Sequence, residues 1–275
     1  PYGHINVYYK GSDGVMLPNL HLAQYGDPDK LWHALRTWKQ VTGSDVITIT
    51  HHTACDSNNK YDWSYYDPEF MPLVEIYSCH GSSECMASEG NPRPLRVRQY
   101  GEVNKHGYYV RDALAMGYRV GIMCSSDTHD GRLGHPLLHT ALNTHSNYPL
   151  SLLPMFRDAL MQEGSLVAVK TDSLSRETIF DGLKSRSCYG TTHVNRMILN
   201  FSINGFEVGY NRSELVVPTI NSVENISFFA IADGYQDFQK VEIFRNNEIF
   251  CLWNSTGIYN STHKVDNVPL GPVLN

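Results

Sequence analysis

Ser125-Ser126-Asp127-Thr128-His129-Asp130-Gly131 follows a short apolar run, Val120 to Met123. An apolar run that ends in a polar loop reads as a buried strand delivering its loop to one end of a sheet. Asp127 and His129 stand two residues apart, and where the extended period breaks at the turn both reach one cavity. A carboxylate is a hard oxygen donor and an imidazole a nitrogen donor, the pair that Zn²⁺, Mn²⁺ and Fe sites use. The alternative use of the same residues is an Asx turn. The chain has 13 histidines, and several stand where a strand ends. His51 and His52 close the β-branched run Asp45 to Thr50. His80 follows the run Leu73 to Ser78, which carries Glu75, and Glu84 comes shortly after. His4 opens the alternating stretch Gly3 to Tyr9. Strand-end positions bearing His, Asp and Glu predict a metal centre on one face of an α/β barrel, where sites gather at the carboxyl ends of strands.

The elements that position these residues alternate strand and helix through the first two thirds of the chain. Asp27-Pro28 is an N-cap followed by proline at the first helical position, and the helix over Leu31 to Val41 stops at Gly43. Tyr109 to Met116 predicts a second helix, ended by Gly117. Pro154 to Gln162 predicts another, after a polar loop from Gly131 to Pro149. Leu166 to Lys170 reads as a strand, and Ser175 caps a helix from Arg176 to Ser185 with Glu177 in its first turn. This βα alternation implies a parallel sheet or barrel. After about Thr192 the pattern changes to short strands: Met197 to Ile203, Glu214 to Val217, Ile226 to Ala232, Lys240 to Phe244 and Glu248 to Trp253. Asn204-Gly205 and Asn246-Asn247 mark turns between them. The expected division is an α/β unit over residues 1–192 and a β-rich unit over 193–275.

Composition narrows the function classes. A net charge of −6 with no Lys/Arg cluster argues against a nucleic-acid binder. No apolar run approaches the length of a membrane span. Six cysteines form no Cys-x-x-Cys pair, which removes a zinc ribbon. Cys79 and Cys85 flank a Gly-Ser loop and either close a small disulfide or stay as buried thiols. Five Asn-x-Ser/Thr sequons, at Asn200, Asn211, Asn225, Asn254 and Asn260, together with that cysteine pair lean toward a periplasmic or secreted protein. Pro1 opens almost directly into a strand, so the chain is expected to start inside a domain.

Several stretches carry a resemblance: Gly3 to Tyr8, Ile49 to Thr53, Val74 to Glu84, Arg111 to Gly117, Gly121 to Arg132 and Arg176 to Thr192. In this order they resemble the polymerase-and-histidinol-phosphatase (PHP) superfamily, in its large bacterial branch known as a domain of unknown function. The resemblance implies the C-terminal portion of an incomplete, distorted (β/α)7 barrel, followed by a small antiparallel β-sandwich-like domain. It implies more than one divalent ion (Zn, Mn or Fe) held by His4, His51, Asp127 and His129, with His52 competing for the role of His51. His80 and Arg132 become candidates for leaving-group acid and for pairing with a substrate anion, and Glu75 and Glu84 for the cavity. The superfamily's opening His-x-His pair has no counterpart before His4. An N-terminal fragment or second chain is therefore expected to complete the barrel. The implied activity is hydrolysis of a small anionic phosphoester by a metal-activated water. The same chemistry on a non-phosphate ester or amide is the alternative. A third reading is a non-catalytic binding or assembly protein, in which the Tyr61 to Tyr66 loop meets carbohydrate.

Overall fold

Apolar residues of both parities within one strand require burial on both faces, and Val46–His51 meets that requirement. In the computed structural model the described residues are 2–17, 27–56, 60–96, 101–127, 165–192, 197–203, 206–208, 223–231, 240–254 and 260–268. The main sheet has five strands: β1 (His4–Tyr9), β2 (Val46–His51), β3 (Leu73–Ser78), β4 (Gly81–Ser82) and β5 (Gly121–Cys124). β2, β3 and β5 run parallel, with β3 between the other two. β1 pairs antiparallel with β2 at the edge, in a register that sets His4 opposite His51 and Tyr9 opposite Val46. β4 folds back on the end of β3. Gly81 makes that reversal at φ 105°, where a Cβ would lie 2.5 Å from the Pro94 carbonyl oxygen, so only glycine fits.

The two faces of the sheet bury different partners. One face carries Val46 and Val74 and packs on α1 (Pro28–Thr42) through Leu31, Trp32 and Leu35, with Tyr61, Trp63 and Phe70 filling the remaining space. The Tyr61 to Tyr66 loop thus lends its two largest buried rings to the core rather than to a carbohydrate surface. Asp27 caps α1 by accepting the Lys30 N–H at 3.0 Å, and the Gly43 N–H closes it on Lys39 O. The second face carries Ile47, Ile49, Leu73 and Met123, which meet Phe180 of α3 (Arg176–Lys184) and Cys188 of β7 (Cys188–Thr191). A short α2 (Val110–Ala115) completes the three α-helices of the described residues.

The expected barrel is not what the chain forms. β6 (Leu166–Val169) and β7 flank α3 as a βαβ unit would, yet they pair antiparallel, Leu166 opposite Thr191. The Lys170 N–H to Ser187 O bond at 2.8 Å closes their ladder beside the helix. A barrel needs a closed round of parallel strands. The described residues instead give one open mixed sheet, small antiparallel sheets and only three helices. The strands after the α/β part are antiparallel, as expected, and among the described residues they form two separate small sheets. Beyond residue 197 the chain forms a four-stranded antiparallel sheet from β8 (Ile198–Ile203), β9 (Phe206–Glu207), β10 (Val223–Ile231) and β13 (Asn260–Val268), and a separate hairpin, β11 (Lys240–Arg245) with β12 (Glu248–Asn254). Asn246 and Asn247, both at positive φ, make the hairpin turn. The strand expected at 214–217, the helix at 154–162 and the turn at 204–205 lie outside the described residues. No helix of the described residues is long and apolar enough to cross a membrane.

Candidate metal centre

Parallel strands share a carboxyl end, and the ends of β2, β3 and β5 deliver His51-His52, Ser78 to His80 and Ser125 to Asp127 to one edge of the sheet. Because β1 is antiparallel, its amino end and His4 lie at that same edge. Open α/β sheets bind ligands at this place.

Consecutive residues of a strand point to opposite faces, so His51 and His52 would diverge if the strand continued. His52 instead adopts φ 36°, and the two rings lie 4.2 Å apart between centroids. Asp127 breaks the extended path after β5 in the same way, at φ 48°. Left-handed backbone at a residue with a Cβ costs about 1–3 kcal/mol and gathers at functional positions. The His4, His51 and His52 rings offer one nitrogen each, all within 4.8 Å of one another. Asp127 Oδ2 lies 3.1 Å from His80 Nε2 and 3.5 Å from His51 Nδ1. The His52 and His80 rings are 5.8 Å apart.

Glu75 lies beneath this cluster, buried in the middle of β3. It accepts the His52 N–H on Oε1 at 3.2 Å and the Ser125 hydroxyl on Oε2. One carboxyl group therefore ties the end of β2 to the end of β5. Burial pushes the Glu75 carboxyl above its usual range; the Asp127 charge adds to this, while His51 and the two hydrogen bonds work against it. For His51, burial opposes protonation, but the hydrogen bond to Asp127 and the charges of Glu75 and Asp127 outweigh it and raise the imidazole. His52 goes the other way. Burial first, then the neighbouring His51 and His4 rings, lower it to about 3. It is a neutral imidazole at any physiological pH, the form that ligates metal.

The donor set fits a divalent cation. His52 Nδ1 is buried with no hydrogen-bond partner, a cost that a ligated ion would remove. His4 is the exposed member, and the other rings are buried or half-buried. His4, His51 and His52 with Asp127 would hold the ion, with His80 supporting Asp127.

The structure thus gathers His4, His51, His52, Glu75, His80 and Asp127. Glu84 stands apart, its carboxylate 2.6 Å from Arg111 Nη2 of α2. His129 and Arg132 lie outside the described residues. Cys79 and Cys85 are separate buried thiols, and Cys79 Sγ donates to Asp127 O at 3.2 Å. Sequence reasoning passed over Ser125 and Cys79 as supports of Glu75 and Asp127. Both lie inside the quoted stretches, and only adjacency to the named ligands could have flagged either one.

No family model matches this chain, and no solved structure does. It is similar to three proteins described as uncharacterised. One, from Chlamydia trachomatis serovar D, is 29% identical over 230 residues, covering 83% of this chain and 33% of the relative. One from Chlamydia muridarum is 30% identical over 223 residues, covering 80% and 31%. One from Chlamydia pneumoniae is 26% identical over 215 residues, covering 78% and 30%. The chain spans about a third of the length of these curated relatives.

Proposed function

We propose that this chain carries a divalent-metal centre and serves a metal-dependent hydrolase, with a small phosphoester as substrate, as the resemblance to the PHP superfamily implies. One observation carries the reading: three imidazoles converge to within 4.8 Å beside Asp127, one of them buried and without a hydrogen-bond partner. A divalent ion bound there supplies Lewis-acid activation of a water and neutralises charge on a phosphoryl oxygen.

The chain's own groups do the rest. His52 stays neutral and presents a lone pair through the working pH range. Asp127 Oδ2 stands between His80 Nε2 and His51 Nδ1, at 3.1 and 3.5 Å. Glu75 holds the backbone of His52 and the Ser125 hydroxyl, which keeps the two kinked strand ends in register. His4 is the open side, and the anionic substrate approaches past it.

The test is metal content by mass spectrometry after purification and dialysis, with hydrolysis of p-nitrophenyl phosphate and bis-p-nitrophenyl phosphate in Mn²⁺ or Zn²⁺. The chain should retain metal and turn over one of the two esters, and the His51→Ala/His52→Ala pair should lose both properties. Metal retention and turnover unchanged in that pair would overturn the proposal.

A further inference from the structure

β1 stands at the end of the main sheet, and its outer edge has a definite backbone pattern. The Lys10 N–H bonds Asp45 O at 2.9 Å, which continues the β1–β2 register by one pair. Hydrogen-bonded pairs alternate along an antiparallel ladder, so His4, Asn6 and Tyr8 turn their backbone groups to β2. Ile5, Val7 and Tyr9 turn theirs outward. A cavity of about 730 Å³ lies against this edge, lined by Ile5, Val7, Val15 and Leu31 among others, with Arg176 at its rim.

Two features make the cavity a built groove. The segment after β1 is folded back over Tyr9, whose hydroxyl donates to Val15 O at 3.0 Å. Gly14 lies so close that a Cβ there would be 2.5 Å from the Tyr9 ring. The rim charge is the second feature. Arg176 Nη2 reaches Tyr9 O at 3.5 Å, and Arg176 forms no ion pair among the described residues. Of the nearby charges, Lys10 pairs with Asp181 at 2.7 Å, while Asp13 is turned to Ser44, from whose hydroxyl it accepts at 3.2 Å. A cleft of mixed lining, with aliphatic side chains on one wall, outward backbone N–H groups and a guanidinium that has no ion pair among the described residues, suits an occupant with an apolar body and a planar anionic end.

We propose that this groove is a ligand site, separate from the histidine cluster, for a small amphipathic carboxylate with an alkyl or aryl body. The Arg176 fork takes the carboxylate, and Ile5, Val7 and Val15 receive the apolar part. The site shares no lining residue with the histidine cluster, so its occupancy does not depend on metal.

Isothermal titration of the EDTA-treated chain with octanoate, octan-1-ol and octyltrimethylammonium tests the assignment. Octanoate should bind one per chain, octan-1-ol more weakly, and the cation not at all. Arg176→Gln should weaken octanoate about fivefold, the scale of a partly exposed ion pair, and leave octan-1-ol unchanged. Val15→Glu, which puts a charge on the apolar wall and keeps the Val15 carbonyl, should weaken octanoate and octan-1-ol together. Both positions reach solvent, and circular dichroism checks that the variants fold. Equal octanoate binding by wild type and Arg176→Gln, equal binding of all three amphiphiles, or self-association of the chain in place of octanoate binding would each overturn the proposal.

Discussion

Replacing Ser125 by alanine isolates the link that joins the two strand ends of the histidine cluster. Glu75 is 4% exposed and has two donors, the His52 N–H and the Ser125 hydroxyl. Alanine removes one and leaves Oε2 buried without a partner. An unsatisfied buried acceptor costs about 1–3 kcal/mol. A raised Glu75 pKa limits the loss, because a carboxyl group that takes a proton sheds the cost of a buried charge. The middle of that range, about 2 kcal/mol, is the expected destabilisation. Unfolding entropy of roughly 2 cal/mol/K per residue turns this into a fall in Tm of about 4 °C, if the 275 residues melt as one unit. Urea denaturation followed by circular dichroism measures the free energy directly. Ser126→Ala, whose hydroxyl makes no hydrogen bond among the described residues, is the control and should stay within about 0.5 kcal/mol of wild type. Glu75→Gln keeps the shape of the carboxyl group, and its double-mutant cycle with Ser125→Ala should give a coupling of about 1 kcal/mol. Ser125→Ala indistinguishable from Ser126→Ala, or a coupling near zero, would show that Glu75 does not tie the strand ends.

Two further outcomes follow from the packing and charges of β2. Ile47 is fully buried between β2 and α3, so Ile47→Ala should cost about 2–5 kcal/mol in urea denaturation; a loss under ~1 kcal/mol would contradict the two-faced burial of the strand. Asp45, just before β2, is clamped by Lys184 and by Lys39 at 3.3 Å. Burial works against its charge, but the two ammonium groups outweigh it and hold the carboxyl below its ordinary value of 3.8. A depressed carboxyl contributes stability that is fully present above the unfolded value and is lost as pH falls through the folded one. Asp45→Asn should therefore be less stable than wild type at pH 7, by about 0.5–1 kcal/mol given the partial exposure of all three side chains. The gap should close as pH drops below about 4, and a gap that persists or widens in acid denaturation curves refutes the assignment.

Much of the element order was legible because local chemistry set it. Asp27-Pro28 and Gly43 bound α1, Ser175 opens α3, and the β-branched run before His51 is a strand. Direction of pairing was not legible. Apolar periodicity reports which residues are buried and says nothing of which strand lies alongside. The strand Leu166 to Lys170 and the helix after it therefore read as part of a parallel βα alternation, although the chain returns antiparallel through Cys188–Thr191. Asn260–Val268 escaped notice because its polar sequence lacks the alternation of a half-buried strand. At the site, His51, His52 and His80 announced themselves by residue type and strand-end position. Glu84 looked equivalent, yet it is committed to Arg111, 27 residues away. That pairing depends on how α2 docks, which spacing alone does not encode.

The backbone at His52 and Asp127 is the strongest reason to treat the histidine cluster as a ligand cage. Had β2 continued extended, His52 would share a face with Val46, Thr48 and Thr50. That is the face turned to Leu31 and Trp32 of α1, away from His4 and His51. The kink at φ 36° reverses this and crowds imidazoles whose proximity disfavours protonation of His52. A chain selected only for stability has simpler solutions: glycine tolerates both positions without strain, and an apolar residue at 52 would leave no orphaned nitrogen. Two strained residues, a buried carboxyl and an imidazole nitrogen without a hydrogen-bond partner stand together at one sheet edge, and each is unfavourable by itself. A bound cation relieves the last two at once by taking the lone pair and offsetting the negative charge of Asp127 and Glu75. The strain at His52 and Asp127 is what brings their side chains to the place where that ion would sit.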